Sequence, residues 1–401
     1  SLGQFLVLGP IRLGTYCRRV HTQRDGSGGD NKQGLAALTA SLIPEGSGNM
    51  DAAEFTQKVE SIGALFSASA NRLSTTVAMR MLSDHQDASF KLLGQAITKP
   101  RFDEAAFNRI KDATLTGIRA GQQNPGHVAG LLLKEHLYEN HPYGQPAVGT
   151  LHTVQGLTRF DVKRFYDQNY TQKNMLVSVV GDITAKELGM YLDSMFEGLK
   201  QGQAQNSFPD QTPSVTPVVV KKEMNVPQST VYLAHKGITR DDPDYYAAYV
   251  MNYILGGGGF NSRLMEEVRE KRGLAYGVYS YFEPLPGGGA FIASVSTNNK
   301  DVQKSIDLIK AEISRMHQGV SEKEFNGALS YLKGSFPLRL DSSSKVLGYL
   351  DTMQLQSLGM DYLDMWTKRI ESVTQEDVKR VAKRLLQPNN LMTVIVGGGM
   401  Q

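Results

Sequence analysis

Residues 255–264 read LGGGGFNSRL, four consecutive glycines behind an apolar stretch. Glycine costs backbone entropy, so the run asks for a reason: a phosphate cradle, a helix stop, or a mobile flap over a substrate. A phosphate loop follows a strand. Here the preceding DPDYYAAYVMNYIL reads as a helix. Asp242 can cap it, Pro243 suits its first turn, and Ala247, Val250, Met251 and Ile254 form an i, i+3, i+4, i+7 stripe. Gly-Lys-Ser/Thr is absent, and Asn261 stands where the last glycine of a dinucleotide loop would be. The phosphate reading fails. Gly256, Gly257, Gly258 and Gly259 remain as a helix stop, or as a turn needing close backbone approach or mobility.

The other candidates for chemistry are sparse. Eight histidines (21, 85, 127, 136, 141, 152, 235, 317) contain no H-x-x-E-H or H-x-x-x-H pair. His136 and His141 are five apart and do not share a helical face, so both read as structural, with His141 anchoring the HPYG turn. The single cysteine, Cys17, precludes an intrachain disulfide and a Cys-based zinc site, and reads as a spectator thiol. Lys+Arg 43 against Asp+Glu 40 leaves +3, too small and dispersed for a nucleic-acid partner. No apolar run approaches the roughly 20 residues of a membrane span. The opening SLGQFLVLGPIRLG is apolar, but it lacks a basic lead and contains proline, so it does not read as a signal peptide.

The elements that must position these residues come in two sets. At 401 residues the chain exceeds one ordinary core. The stretch 200–217, poor in large apolar residues, reads as a linker between domains 1–199 and 218–401. Residues 157–181 and 373–397 share eight identities in 25 ungapped positions at an offset of 216. They are Thr158/Thr374, Asp161/Asp377, Val162/Val378, Lys163/Lys379, Arg164/Arg380, Asn174/Asn390, Val180/Val396 and Gly181/Gly397. Each copy places Thr before an amphipathic helix, then a loop, then an apolar strand ending in glycine. Strands are expected at 74–82 and 289–297, and a helix over VQKSIDLIKAEISRMHQG. A capping box is expected at Ser321 and Glu324. The fold class is α+β: two homologous domains, each a mostly antiparallel sheet covered by helices.

The stretch 229–297, and above all LGGGGFNSRL followed by EVREKRGLAY, resembles the second domain of the pitrilysin-like, or mitochondrial processing peptidase-like, zinc peptidases. ESIGALFSASA, HPYGQPAVGT and the VVGD and VIVGG strand ends support the match, which covers about residues 34–401. The resemblance implies a metal helix carrying H-x-x-E-H, two His binding Zn²⁺ and the Glu serving as general base. Here GLAALTASLIPEG places Ala37 and Ser41 at the two His positions and Ala40 at the base. The family's third ligand falls on Gly117 and its supporting acid on Ile110. None of these can hold zinc or take a proton from water, so the chain is expected to bind no cofactor and to be inactive alone. Residues 1–33 depart from the family: a strand pair is expected there, but YCRRVHTQRDGSGGDNKQ is polar and glycine-rich. Without strands in that segment, the first sheet would lose an edge.

The family's substrate-holding Arg and Tyr, seven residues apart, fall on Arg269 and Tyr276. Arg269 reads as the last turn of a helix ended by Gly273, and Tyr276 as the start of a strand. A guanidinium and a phenol there could hydrogen-bond a scissile carbonyl and its developing oxyanion. The bland alternative pairs Arg269 with Glu266 or Glu270 and buries Tyr276 in the core. GALFSASANRLSTTV resembles the strand on which active members lay peptide, read here as scaffold or chamber wall. The resemblance implies a non-catalytic, substrate-binding subunit of a heterodimeric zinc metalloendopeptidase, with zinc in a homologous partner subunit and a peptide or unfolded protein as substrate. Two alternatives stand beside it: a structural core-type subunit of a respiratory complex, and a homodimeric peptide-binding protein. Relatives of this paired kind favour the bacterial periplasm over the cytoplasm or mitochondrial matrix.

Overall fold

The computed structural model describes residues 32–203, 212–213 and 216–399, and the backbone of 11–18. Most of the linker expected at 200–217 and the polar stretch 19–31 lie outside the described residues. The chain forms two compact units, each an α+β layer pair.

The first unit comprises Ser1–Arg119, Pro146–Phe208 and Leu338–Gly359. Its strands are β1 (Ile11–Arg18), the short pair β2 (Gly46–Ser47) and β3 (Met50–Asp51), β4 (Leu65–Ala70), β5 (Ser74–Met81) and β6 (Met175–Val180). The main sheet runs β4-β5-β1-β6, antiparallel throughout. Residues 1–33 do supply a strand, so this sheet is not left short. Ile11–Arg18 is an interior strand, with Thr15 in register with both Val77 and Val177. Only Tyr16–Arg18 of the polar stretch fall in this strand, whose ladder hydrogen bonds on both edges hold it irrespective of side-chain polarity. The helices Leu35–Leu42, Gln86–Thr98 and Arg159–Asn169 contribute Leu38, Phe90 and Val162 to a core shared with Phe55, Met79 and Ile43.

The second unit comprises Ala120–Gln145, Pro209–Pro337 and Met360–Gln401. Its strands are β7 (Val219–Glu223), β8 (Gln228–Lys236), β9 (Ala275–Glu283), β10 (Ala290–Asn298) and β11 (Met392–Gly397), in the order β7-β11-β8-β10-β9. Only the added edge pair β7–β11 is parallel. Without β7, the order β9-β10-β8-β11 repeats β4-β5-β1-β6, so the duplication read at 157–181 and 373–397 extends to the whole sheet. The shared identities have shared jobs. Thr158 with Asp161, and Thr374 with Asp377, build the same capping box. Each acid also pairs with the arginine three residues on, Asp161 with Arg164 and Asp377 with Arg380. The helix Val302–Met316 buries Ile306, Ile309, Ile313 and Met316, each contributing about 1.5–3 kcal/mol.

The units are not the sequential stretches 1–199 and 218–401. The helix Pro125–Leu137 packs on β8 and β11 in the second unit, while Ser343–Gln356 packs on β6 and β1 in the first. These are corresponding helices of the two halves, and the chain exchanges them. Three contacts hold the first one. Tyr138 donates to the Gly288 carbonyl at 3.2 Å, Tyr143 to the Pro286 carbonyl at 3.2 Å, and Lys134 pairs with Glu283. His141 accepts from the Tyr143 N–H at 3.2 Å and caps the HPYG turn as expected.

Candidate functional site

In the first unit, the segment matched to the metal helix is Leu35–Leu42. It starts at Gly34, φ +90, where an added Cβ would lie 2.6 Å from the Val148 carbonyl oxygen. Only glycine permits that approach. Ala40 is fully buried, and Ala37 and Ser41 are half-buried. Gly117 lies exposed on the helix Glu104–Gly121, with no atom within 4 Å of an added Cβ. Two methyls, a hydroxyl and a hydrogen supply no anionic or imidazole donor, so zinc does not fit these residues. Among the described residues, no group of three or more His, Cys, Asp or Glu is placed to hold a metal ion. No described helix is long and apolar enough to cross a membrane.

The second unit carries the remaining candidates. The helix before the glycines is Tyr245–Asn252, starting at Asp244 rather than at Asp242. Asp242 instead accepts the Asp244 N–H at 2.9 Å, and Arg384 and Arg380 bind Asp242 and Asp244 at 2.8 Å, so neither carboxylate serves as the helix cap. The helix widens into a π-turn, Tyr253–Gly257, and the chain then makes a 3₁₀ turn, Gly259–Asn261. Each glycine has a separate cause. A Cβ on buried Gly256 would lie 2.6 Å from the Ser280 backbone nitrogen on β9; on Gly257, 2.7 Å from the Asn252 side-chain nitrogen; on Gly258, 2.7 Å from the Tyr253 carbonyl. Gly259 has φ +58 and open space around it.

The following segment is a second π-turn, Met265–Glu270, closed at Gly273 (φ +62), whose N–H donates to the Arg269 carbonyl at 2.7 Å. It is locked from beneath. Arg263, 6% exposed, grips Glu324 through Nε at 2.6 Å and Nη2 at 3.0 Å, and also donates to the Gly319 carbonyl at 3.1 Å. Burial pushes the Glu324 carboxyl up, but hydrogen bonds from Arg263 and Ser321 overrule it and hold it at about 2. Glu324 completes the expected capping box with Ser321. Lys271 and Arg272 bind buried Glu267 at 2.7 and 2.6 Å and hold its carboxyl low.

On this base Arg269 and Tyr276 come together. The Arg269 guanidinium carbon lies 5.0 Å from the Tyr276 ring centroid. Tyr276 is 83% exposed, so the core alternative for it is set aside. A β-bulge explains the exposure. Val278 pairs with Val295 and Ala275 with Thr297, so two residues of β9, Tyr276 and Gly277, oppose one residue of β10. The extra residue turns the tyrosine out of the alternation. Arg269 pairs with Glu270 at 3.5 Å, whereas Glu266 is taken by Lys271 at 2.9 Å.

One neighbour was not legible. Phe260, 65% exposed on the glycine turn, lies 4.5 Å from the Arg269 guanidinium carbon. Nothing in its spacing singles it out. The only signal is a large aromatic among glycines and polar residues, where apolar burial has no claim on it. The face of β9 beyond the bulge also shows Tyr279 and Tyr281, 48% and 42% exposed.

Comparison with known proteins identifies both halves of the chain. A family profile described as insulinase (peptidase family M16) matches residues 25–151, and one described as the peptidase M16 inactive domain matches 156–332. A Streptomyces coelicolor protein, described as an uncharacterized zinc protease, is 26% identical over 88% of this chain and 78% of its own length. A Helicobacter pylori protein, described as the non-peptidase homolog YmxG, is 25% identical over 91% of this chain and 85% of its own. A solved peptidase M16 inactive domain from Pseudomonas fluorescens is 30% identical, with TM-score 0.90, covering 98% of this chain and 94% of that one.

Proposed function

Because the chain belongs to peptidase family M16 and is of its inactive type, we propose that it is the non-catalytic, substrate-binding subunit of a heterodimeric zinc metalloendopeptidase. One observation carries the reading: the metal positions Ala37, Ala40, Ser41 and Gly117 offer no metal-binding donor, while Arg269, partly exposed, stands against Tyr276, which is open to solvent. A decayed scaffold has no need of a guanidinium stacked on an exposed phenol beside a tightly packed glycine turn. A homologous partner would hold the zinc, which would supply activated water for peptide hydrolysis. This chain binds and orients. Arg269 donates to a backbone carbonyl of an extended peptide, and the Tyr276 hydroxyl donates to the oxygen that gains charge as the carbonyl is attacked. Gly256–Gly259 set the backbone turn beside which the peptide runs.

The test mixes equal amounts of the chain and its co-purifying zinc subunit and follows hydrolysis of quench-labelled casein. Activity should require both chains and metal. Tyr276→Phe should lower kcat/KM by about 100-fold, the cost of losing one preorganised oxyanion donor. An unchanged rate in that variant would sink the proposal. Co-purification with membrane proteins together with a silent Arg269→Ala would instead favour the core-type structural subunit.

A further inference from the structure

We propose that Phe260 is a positioning residue that holds the Arg269 guanidinium against Tyr276. The inference rests on the substrate-binding role of Arg269 and deepens it. The guanidinium carbon lies 4.5 Å from the Phe260 centroid and 5.0 Å from the Tyr276 centroid, both within the range of cation–π attraction. Arg269 itself is 26% exposed at the side chain, and its ion pair is a single 3.5 Å contact to half-exposed Glu270. An arginine with such a weak tether would otherwise sample many rotamers. Cation–π attraction to two rings uses none of the arginine's N–H donors, so those not paired with Glu270 serve an acceptor such as a peptide carbonyl.

Phe260 sits where it does because of the glycines. Gly256 and Gly258 pack against Ser280 and Tyr253, and Gly259 then turns the chain at φ +58, presenting residue 260 beside Arg269. With 65% of its surface exposed, Phe260 contributes little to the core. A ring this exposed, resting on a cation, is explained by the cation. The glycine turn thus has a job beyond stopping a helix: it delivers an aromatic to the substrate-binding arginine.

The experiment uses the assembled pair and quench-labelled casein. Phe260→Leu keeps apolar bulk and removes the ring, and kcat/KM should fall about 5-fold, while Phe260→Tyr should restore most of it. In an Arg269→Ala background, Phe260→Leu should have no further effect, because the ring acts through the arginine. The Trp366 unfolding midpoint should stay unchanged in all three. A large defect in Arg269→Ala with none in Phe260→Leu overturns the inference and leaves the binding role of Arg269 standing. Full additivity of the two substitutions also overturns it. Silence of both overturns the binding role and this inference together.

Discussion

Replacing Glu324 by Gln removes the only carboxylate bound to Arg263 among the described residues and leaves the volume unchanged. The Arg263 side chain is 7% exposed and that of Glu324 is 32% exposed. Lowering the carboxyl from its ordinary 4.5 to about 2 corresponds to about 3 kcal/mol of stability, trimmed toward 2 by the partial exposure of Glu324. The sign follows from the direction. A carboxyl held below its unfolded value stabilises above pH 4.5, and that contribution is lost as pH falls toward 2. At pH 7, Glu324→Gln should therefore cost about 2–3 kcal/mol, and its stability should decline less steeply than the native protein's across the acid window, where Glu267, Asp244 and Asp377 still titrate. The readout is specific. Trp366, the only tryptophan, is buried in the second unit and stacked 4.6 Å from Phe336. Its fluorescence during urea unfolding at stepped pH reports the unit that contains the pair. Gln still serves a capping box, so loss of the cap does not account for the cost; Ser321→Ala, which removes the cap hydroxyl alone, should cost about 1 kcal/mol. If Glu324→Gln matches the native protein within about 0.5 kcal/mol and keeps the same acid slope, the buried pair does not hold the segment bearing Arg269.

Two further predictions concern the same unit. His235 is fully buried, with its Nε2 accepting the Gln387 N–H at 3.2 Å and its Nδ1 bonded to the Lys236 carbonyl at 2.7 Å. Burial lowers it to about 4, so its contribution is present above pH 6.5 and lost as pH falls toward 4, about 3 kcal/mol in all; a ring-proton resonance titrating near 6.5 would refute this. Gly256→Ala places a methyl against the Ser280 backbone and should cost about 1–3 kcal/mol, whereas Gly259→Ala has room and pays only for its positive φ, about 1 kcal/mol; equal midpoints for the two would show that the turn is a simple helix stop.

Local physics was legible in the residues themselves. The paired capping boxes of Thr158 and Thr374, the apolar stripe of Val302–Met316 and the Ser321–Glu324 cap all depend on neighbours within a few residues, and the duplication shows as identities at a fixed offset. That Ala37, Ala40, Ser41 and Gly117 offer no zinc donor is a matter of residue type, once the family pattern assigns those positions. The placement of Arg269 and Tyr276 close together followed from the family pattern and from a helix stop at Gly273. What only the tertiary structure decided involves partners far apart in the chain. Ile11–Arg18 becomes an interior strand through pairing with β5 and β6, which no property of the segment encodes. The helix Pro125–Leu137 belongs to the second unit because its apolar face finds β8 and β11. Tyr276 is exposed because a bulge against β10 breaks the alternation, and Phe260 meets Arg269 because three glycines pack against Asn252, Tyr253 and Ser280. Propensity and capping are sums over adjacent residues; pairing, bulges and ring–cation contacts are set by which surfaces the folded chain brings within a few ångströms.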